Sequence, residues 1–246
     1  MTKELFLYGL HAVEEALHNP NRCVLEVLTC GNTPVKIEGA MKKVPLKKVA
    51  LKKVPRGQLE KLLPQGAVHQ GIVARVRPLE QPSLEEVLTA LDKQANAQVL
   101  LLDQVTDPHN VGALLRSALG FYASALIVPD AHCPEESATL AKTASGALEH
   151  VPLVRVSNLA RAMEILKQHK FWCIGLAGGS QTNLATLKLP PKTAFVLGAE
   201  GQGLRPLTIK NCDYVGFIPM NPELESFNVS NAGAVMMYEW IKQHPK

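Results

Sequence analysis

The sequence predicts an α/β protein in two segments, the larger built on a parallel sheet covered on both faces. Three observations carry this. Apolar, strand-like runs alternate with runs of helical spacing along most of the chain. Several strand runs, VLLL and AFVLG among them, are continuously apolar, as strands buried on both faces are. A polar stretch, Arg77-Pro78-Leu79-Glu80-Gln81-Pro82, divides the chain, its prolines biasing the residues before them toward extended backbone.

The first segment, residues 1–77, reads as a small domain of three or four short strands and two helices. FLYG leads into HAVEEALHNP, where Ala12, Val13, Ala16 and Leu17 repeat at helical spacing. VLEVLTC and KKVAL read as strands, PRGQLEKLLP as a short helix with Pro55 at its start, and GIVARVR as a strand alternating in period two. Within this segment KKVPLKKVALKKVPRG, residues 42–57, repeats a lysine pair. Pro45 and Pro55 argue against a helix there. The run is either a solvated face or an edge turned toward phosphates. Residues 78–95 read as a linker carrying a short helix, SLEEVLTALDK, with Ser83 and Glu86 in capping-box positions.

The second segment, residues 96–246, supplies strands VLLLD, ALIVPD, PLVRV, FWCIGLA, AFVLGAE and YVGFIPM. Its helical runs include VGALLRSALGF, SATLAKTASGAL, NLARAMEILKQH and VSNAGAVMMYEWIKQ. In parallel sheets ligands collect at the carboxyl ends of strands. AFVLGAE and GFIPM both end in glycine- or proline-bearing loops, which nominates one shared site.

With 246 residues the chain can bury a sizeable core, and its net charge of +4 permits a polyanionic partner without requiring one. The five cysteines form no C-x-x-C pair, which argues against a disulfide framework or zinc knuckle and fits a reducing compartment. No apolar run reaches the ~18 residues of a membrane span. MTKELFLYGLHAVEEAL turns acidic too early for a secretory signal, so a soluble cytoplasmic protein is expected. The eight histidines lack metal-ligand spacing, and G-x-S-x-G, H-E-x-x-H and P-loop patterns are absent, so neither a metal site nor a triad hydrolase is expected.

Three constellations could carry chemistry. In DQVTDPHNVGALLRSALG, Asn110 stands where a helix should begin, as an N-cap or as a residue shaping the loop, and Arg116 lies within that helix. Six residues apart on a helix is roughly 240° of rotation, so separate roles are expected. An arginine among apolar helix residues either snorkels to water or meets an anion, phosphate suiting it best. In FVLGAEGQGL, Gly198, Gly201 and Gly203 spell G-x-x-G-x-G rather than the dinucleotide fingerprint, with Glu200 inside the turn. A carboxylate there repels phosphate, so the ligand should be uncharged or cationic at its middle and held by main-chain groups. Glu200 is a solvated turn carboxylate, a partner of Arg116, or a group that orders the turn. In FIPMNPELESFNVSNAGAV, Ser226 and Asn228 precede the last helix as caps or as site residues, and Ala232-Gly233-Ala234 leaves room for another backbone or a flat ligand.

Taken in order, N-x5-R in DPHNVGALLRSA, then LGAEGQGL, then IPMNPELESFNVS resemble the SpoU/TrmH family of RNA ribose 2′-O-methyltransferases. YGLHAVEEAL and GAVHQGIVARV make the first segment similar to that family's small substrate-binding domain, closest to the branch that methylates a guanosine ribose in the P loop of 23S rRNA. The resemblance implies a methyltransferase domain with a C-terminal trefoil knot, an L30e-like first domain, a homodimer, and RNA as partner, 23S rRNA or a large-subunit precursor. It implies S-adenosyl-L-methionine as cofactor, held through Gly198, Ile218 and Phe227 with Leu197, Gly203 and Met220 nearby. It implies active-site roles for Asn110, Arg116, Glu200, Ser226 and Asn228. Pro222 stands where members usually carry glycine, and Phe227 where leucine is more usual. The alternatives are a tRNA ribose methyltransferase and a catalytically silent RNA-binding assembly factor; a nicotinamide oxidoreductase would need the missing fingerprint.

Overall fold

The structure is a computed structural model that describes residues 4–43 and 49–245. In chain order the first elements are β1 (Leu5–Tyr8), α1 (Leu10–His18), β2 (Val24–Thr29), α2 (Val35–Lys43), β3 (Ala50–Lys53), α3 (Arg56–Glu60) and β4 (Ile72–Val76). There follow α4 (Leu84–Leu91), β5 (Ala97–Asp103), α5 (Pro108–Gly120), β6 (Leu126–Pro129), α6 (Ala138–Ala144) and β7 (Leu153–Val156). The last are α7 (Leu159–Gln168), β8 (Trp172–Leu176), β9 (Lys192–Gly198), α8 (Pro206–Asn211), β10 (Tyr214–Gly216) and α9 (Val229–Gln243). The chain forms two compact units, Met1–Glu80 with Glu135–His150, and Gln81–Pro134 with Val151–Lys246.

The first unit is a four-stranded sheet in the order β1-β4-β2-β3, antiparallel except for the β2–β3 pair. Helix α1 buries Ala12, Val13, Ala16 and Leu17, the stripe its spacing predicts. Strand β3 starts three residues and ends two residues beyond the expected KKVAL and is exposed along its length. Lysine on an edge strand discourages pairing with another chain, and here Lys52 also meets Glu26 at 2.6 Å. Lys47 and Lys48 of the basic run lie outside the described residues. Helix α2 is an unexpected element: among its described side chains only Ile37 and Ala40 are buried, too sparse a stripe to read from sequence.

Residues Glu135–His150 join this unit through a buried arginine. Arg22 is 3% exposed and donates from Nη2 to Glu149 Oε1 at 2.6 Å, from Nη1 to Glu136, and from Nη1 to the Arg77 carbonyl at 3.0 Å. Burial alone would lower the guanidinium's pKa, but the hydrogen bonds and charges of Glu149 and Glu136 outweigh it and hold the pKa above its ordinary value.

The second unit is a six-stranded sheet, parallel throughout, in the order β10-β8-β9-β5-β6-β7. The chain enters at β5, runs outward through β6 and β7, and returns to β8; β9 then inserts between β8 and β5. Every residue of β5 is buried, in keeping with its continuous apolar run. Helix α4 is more than a connector: Leu84, Val87, Leu88 and Leu91 pack into the core with Val99, Leu101, Ile127 and Val196, and the Ser83–Glu86 capping box closes its start. Helix α9 spans the predicted residues. A Cβ on its Gly233 would stand 2.4 Å from Leu114 Cδ2 and 2.9 Å from Leu197 Cδ1, so the missing side chain admits α5 and β9 rather than a ligand. Among the described residues no helix is long and apolar enough to cross a membrane.

Candidate active site

Strands β8, β9 and β10 are neighbours through β8, and the loops leaving their carboxyl ends enclose a cavity of about 840 Å³. That lies within the roughly 300–1,000 Å³ of small-molecule sites. Leu197, Gly198, Gly203, Ile218, Met220 and Phe227, the six residues expected to hold a cofactor, all line it. Pro222 lines it too, without closing it.

The glycines have different tasks. Gly198 is needed for close approach, since a Cβ there would lie 2.1 Å from the Gly203 carbonyl carbon and 2.4 Å from Leu204 N. Gly201 and Gly203 are needed for conformation, with φ of 76° and 67°. The turn closes on itself through the Gly203 N–H, which donates to the Ala199 carbonyl at 2.8 Å. Its exit is clamped by Asp103, a fully buried carboxylate at the end of β5. Asp103 accepts from Arg205 N at 3.1 Å, Arg205 Nε at 2.7 Å and Thr208 Oγ1 at 2.6 Å. The main chains of Ile218, Met220 and Phe227 make no hydrogen bond among the described residues and remain available to a ligand.

Three of the expected catalytic residues meet around Glu200, the one of them that lines the cavity. Asn110 Nδ2 donates to Glu200 Oε1 at 2.7 Å, Asn228 Nδ2 donates to the same oxygen at 2.5 Å, and Asn228 Nδ2 also reaches Asn110 Oδ1 at 2.9 Å. The trio ties the first turn of α5, the β9 loop and the start of α9 together. Asn228 caps α9 as well, its Oδ1 accepting from Ser230 N at 2.9 Å. Asn110 is not the N-cap of α5. Asp107 is, accepting from His109 N at 2.9 Å, with Pro108 in the first helical position, so Asn110 lies inside the helix and points from a different side than Arg116. Glu200 orders the turn rather than pairing with Arg116. Ser226 lines the cavity. Arg116 is exposed, outside the cavity wall, and has no hydrogen-bond or ion-pair partner among the described residues.

Among the described residues the wall holds two carboxylates, Glu200 and Glu225, and no lysine, arginine or histidine. Such a cavity disfavours polyphosphates and suits an uncharged or cationic ligand with an apolar ring, which Leu197, Leu204, Ile209 and Phe227 would cover. The groups do not form a metal cluster: among the described residues no set of three metal-ligating side chains converges. Sequence reasoning missed the stretch Leu176–Ser180, which forms one wall. Its signal was present, since AGGS follows a buried strand as the other two loops do.

Comparison with known proteins decides the family. The model of the SpoU rRNA Methylase family matches residues 97–238, and a model described as RNA 2'-O ribose methyltransferase substrate binding matches residues 6–82. The chain belongs to the SpoU rRNA methylase family. Among its SpoU relatives, a 23S rRNA (guanosine-2'-O-)-methyltransferase RlmB of Vibrio vulnificus is 39% identical, covering 97% of this chain and 96% of the relative. The RlmB of Escherichia coli is 38% identical, covering 96% and 98%. The fold is that of solved SpoU structures. The SpoU methyltransferase AviRb from Streptomyces viridochromogenes superposes with a TM-score of 0.81 at 22% identity, covering 98% of this chain and 89% of that one. AviRb in complex with the cofactor AdoMet has a TM-score of 0.81 at 21% identity, covering 98% and 90%.

Proposed function

We propose that this protein transfers a methyl group from S-adenosyl-L-methionine to the 2′-hydroxyl of a guanosine ribose in 23S rRNA. The observation that carries the reading is the cavity at the ends of β8, β9 and β10, which has carboxylates but no cations among the described residues of its wall and open main-chain groups on the loop between β10 and α9. Its chemistry fits a sulfonium nucleoside and would reject a dinucleotide. The full-length similarity to RlmB proteins supports the RNA target.

Leu197, Gly198, Gly203, Ile218, Met220 and Phe227 would hold the cofactor, which when bound supplies an activated methyl group on sulfur. The chain's own task is to orient a weak nucleophile and help it lose a proton. Arg116 is too basic to act as a free base at neutral pH. Its unengaged guanidinium suits a bidentate grip on the phosphate beside the target ribose, with proton loss assisted by that phosphate. Asn110, Glu200 and Asn228 hold the three loops in register, and Ser226 borders the acceptor side. In this reading residues 1–77 form the body of the RNA-binding domain, of L30e-like fold, and residues 96–246, apart from the 135–150 stretch grouped with the first unit, form a methyltransferase domain with a trefoil knot, to which α4 of the 78–95 stretch contributes. The exposed Leu119, Tyr122, Val235 and Tyr238 on α5, just beyond it and on α9 support a homodimer, and the protein works in the cytoplasm.

The test is Arg116→Ala. Labelled-methyl transfer to 23S rRNA should fall by about 10²-fold or more, with cofactor affinity within about twofold of wild type. Loss of cofactor affinity in that variant would contradict the assignment.

A further inference from the structure

A second pocket, of about 890 Å³, lies wholly within the first unit, along the stretch from Leu63 to Gly71 and bordered by Cys30, Arg56 and Glu60. Its most informative residue is His69, which is 4% exposed. The Gly71 N–H donates to His69 Nδ1 at 3.1 Å. With Nδ1 accepting, the ring proton sits on Nε2. That Nε2–H is buried and has no hydrogen-bond partner among the described residues. A buried donor left unmade is costly, and a native protein keeps one where something else completes it.

The completing group must be an acceptor, and its neighbours narrow the class. Glu60 Oε1 stands 4.0 Å from His69 Nε2, too far to bond to it. The two groups therefore stand side by side, a donor 4.0 Å from an acceptor, a spacing that neighbouring atoms of one planar edge can meet together. Glu60 Oε1 is held at 2.9 Å by Arg56 Nε, on a guanidinium whose side chain is 76% exposed. Val68, 69% exposed, and Leu63 offer apolar surface for a ring face. A bare phosphate fits badly, because Glu60 would repel it. A nucleobase fits: a carbonyl or ring nitrogen accepts from His69, and an adjacent N–H donates to Glu60. Guanine, with its carbonyl beside two N–H donors, meets this set most fully. Unpaired bases turned out of the stack are what proteins read in RNA.

We propose that this pocket captures one unpaired base of the RNA substrate, read by His69 and Glu60, with Arg56 beside the adjoining backbone. The proposal rests on the reading of the protein as an RNA methyltransferase and adds a recognition site remote in sequence from the methyl-transfer motifs.

The experiment measures the dissociation constant of the full-length protein for a 23S rRNA transcript at fixed salt, for wild type and Glu60→Gln. Glutamine keeps one acceptor oxygen and puts an NH2 donor in place of the other, so the two-oxygen edge that meets the base's N–H donors is lost and affinity should weaken by about tenfold, with salt dependence and cofactor affinity unchanged. Tighter binding by Glu60→Gln would mean that the pocket takes a phosphate, and unchanged binding that it takes nothing; either overturns the proposal. His69→Gln, checked for an unaltered melting temperature, should weaken binding similarly. A second arm stands apart from methyl transfer: guanosine titrated into histidine-labelled protein should move the His69 Nε2 resonance, whereas inorganic phosphate should not. A wild-type protein that transfers no methyl group but whose His69 answers guanosine would sink the functional reading and leave the pocket standing. Silence of His69 toward guanosine would sink the pocket alone.

Discussion

Replacing Gly198 by alanine should damage the cavity from within. The added Cβ would lie 2.1 Å from the Gly203 carbonyl carbon and 2.2 Å from its oxygen, where ordinary contact begins near 3.4 Å. The turn must therefore retreat by about 1.3 Å. It has little freedom to do so. Gly198 is in register with Asp103 on β5, and the same Asp103 clamps Arg205 at the turn's exit. Overpacking of this kind costs about 1–3 kcal/mol, or ~2–12 °C in melting temperature for a chain of this size. A shift of about 1 Å in a binding wall can cost on the order of 10²-fold. Calorimetric titration with S-adenosyl-L-methionine should show that loss, and scanning calorimetry the lower melting temperature. Gly201→Ala is the control: its Cβ would meet open space, so only the strain of φ 76°, about 1–2 kcal/mol, should appear. Wild-type cofactor affinity in Gly198→Ala would refute the claim that this crossing shapes the site.

Two further predictions concern stability and titration. Arg22→Ala would strand Glu136 and Glu149, whose side chains are 7% and 3% exposed, at a cost of about 3–5 kcal/mol; amide exchange in residues 138–149 should accelerate, and unchanged protection there would refute the role given to Arg22. Burial first, then the charge of Asp213, pushes the Cys173 thiol up to about 12, and burial pushes Cys212 to about 11. At pH 8 iodoacetamide should label exposed Cys23 while sparing both. Because the folded pKa of Cys173 is raised, its contribution to stability is intact below the unfolded value of about 8.5 and is lost as pH climbs toward 12. Unfolding titrations of Cys173→Ala should therefore decline less steeply across that window, by up to about 1.4 kcal/mol per pH unit; an equal slope would contradict it.

What could be read from sequence divides along physical lines. Helix α9 and the buried strand β5, with its Val99–Leu102 apolar run, were legible because periodicity and continuous burial leave local marks. The two site loops were legible because glycine and proline punctuate strand ends. Helix α8 was not, since six residues with only Thr208 buried carry no stripe. The capping role fell to Asp107 rather than Asn110 because Pro108 starts the helix earlier than the apolar pattern does. Long-range pairings left no local mark at all. Arg22 finds Glu149 127 residues away, and Asp103 finds Arg205 102 residues away. The grouping of Glu135–His150 with the first unit depends on such pairings, so alternation of strands and helices could not reveal it.

The central claim, methyl transfer to a ribose of 23S rRNA, is tested most directly by mapping 2′-O-methylation across that RNA from cells with and without this protein. One guanosine should lose its methyl group in the deletion strain and regain it with the wild-type chain but not with Arg116→Ala. An identical methylation map in both strains would contradict the account.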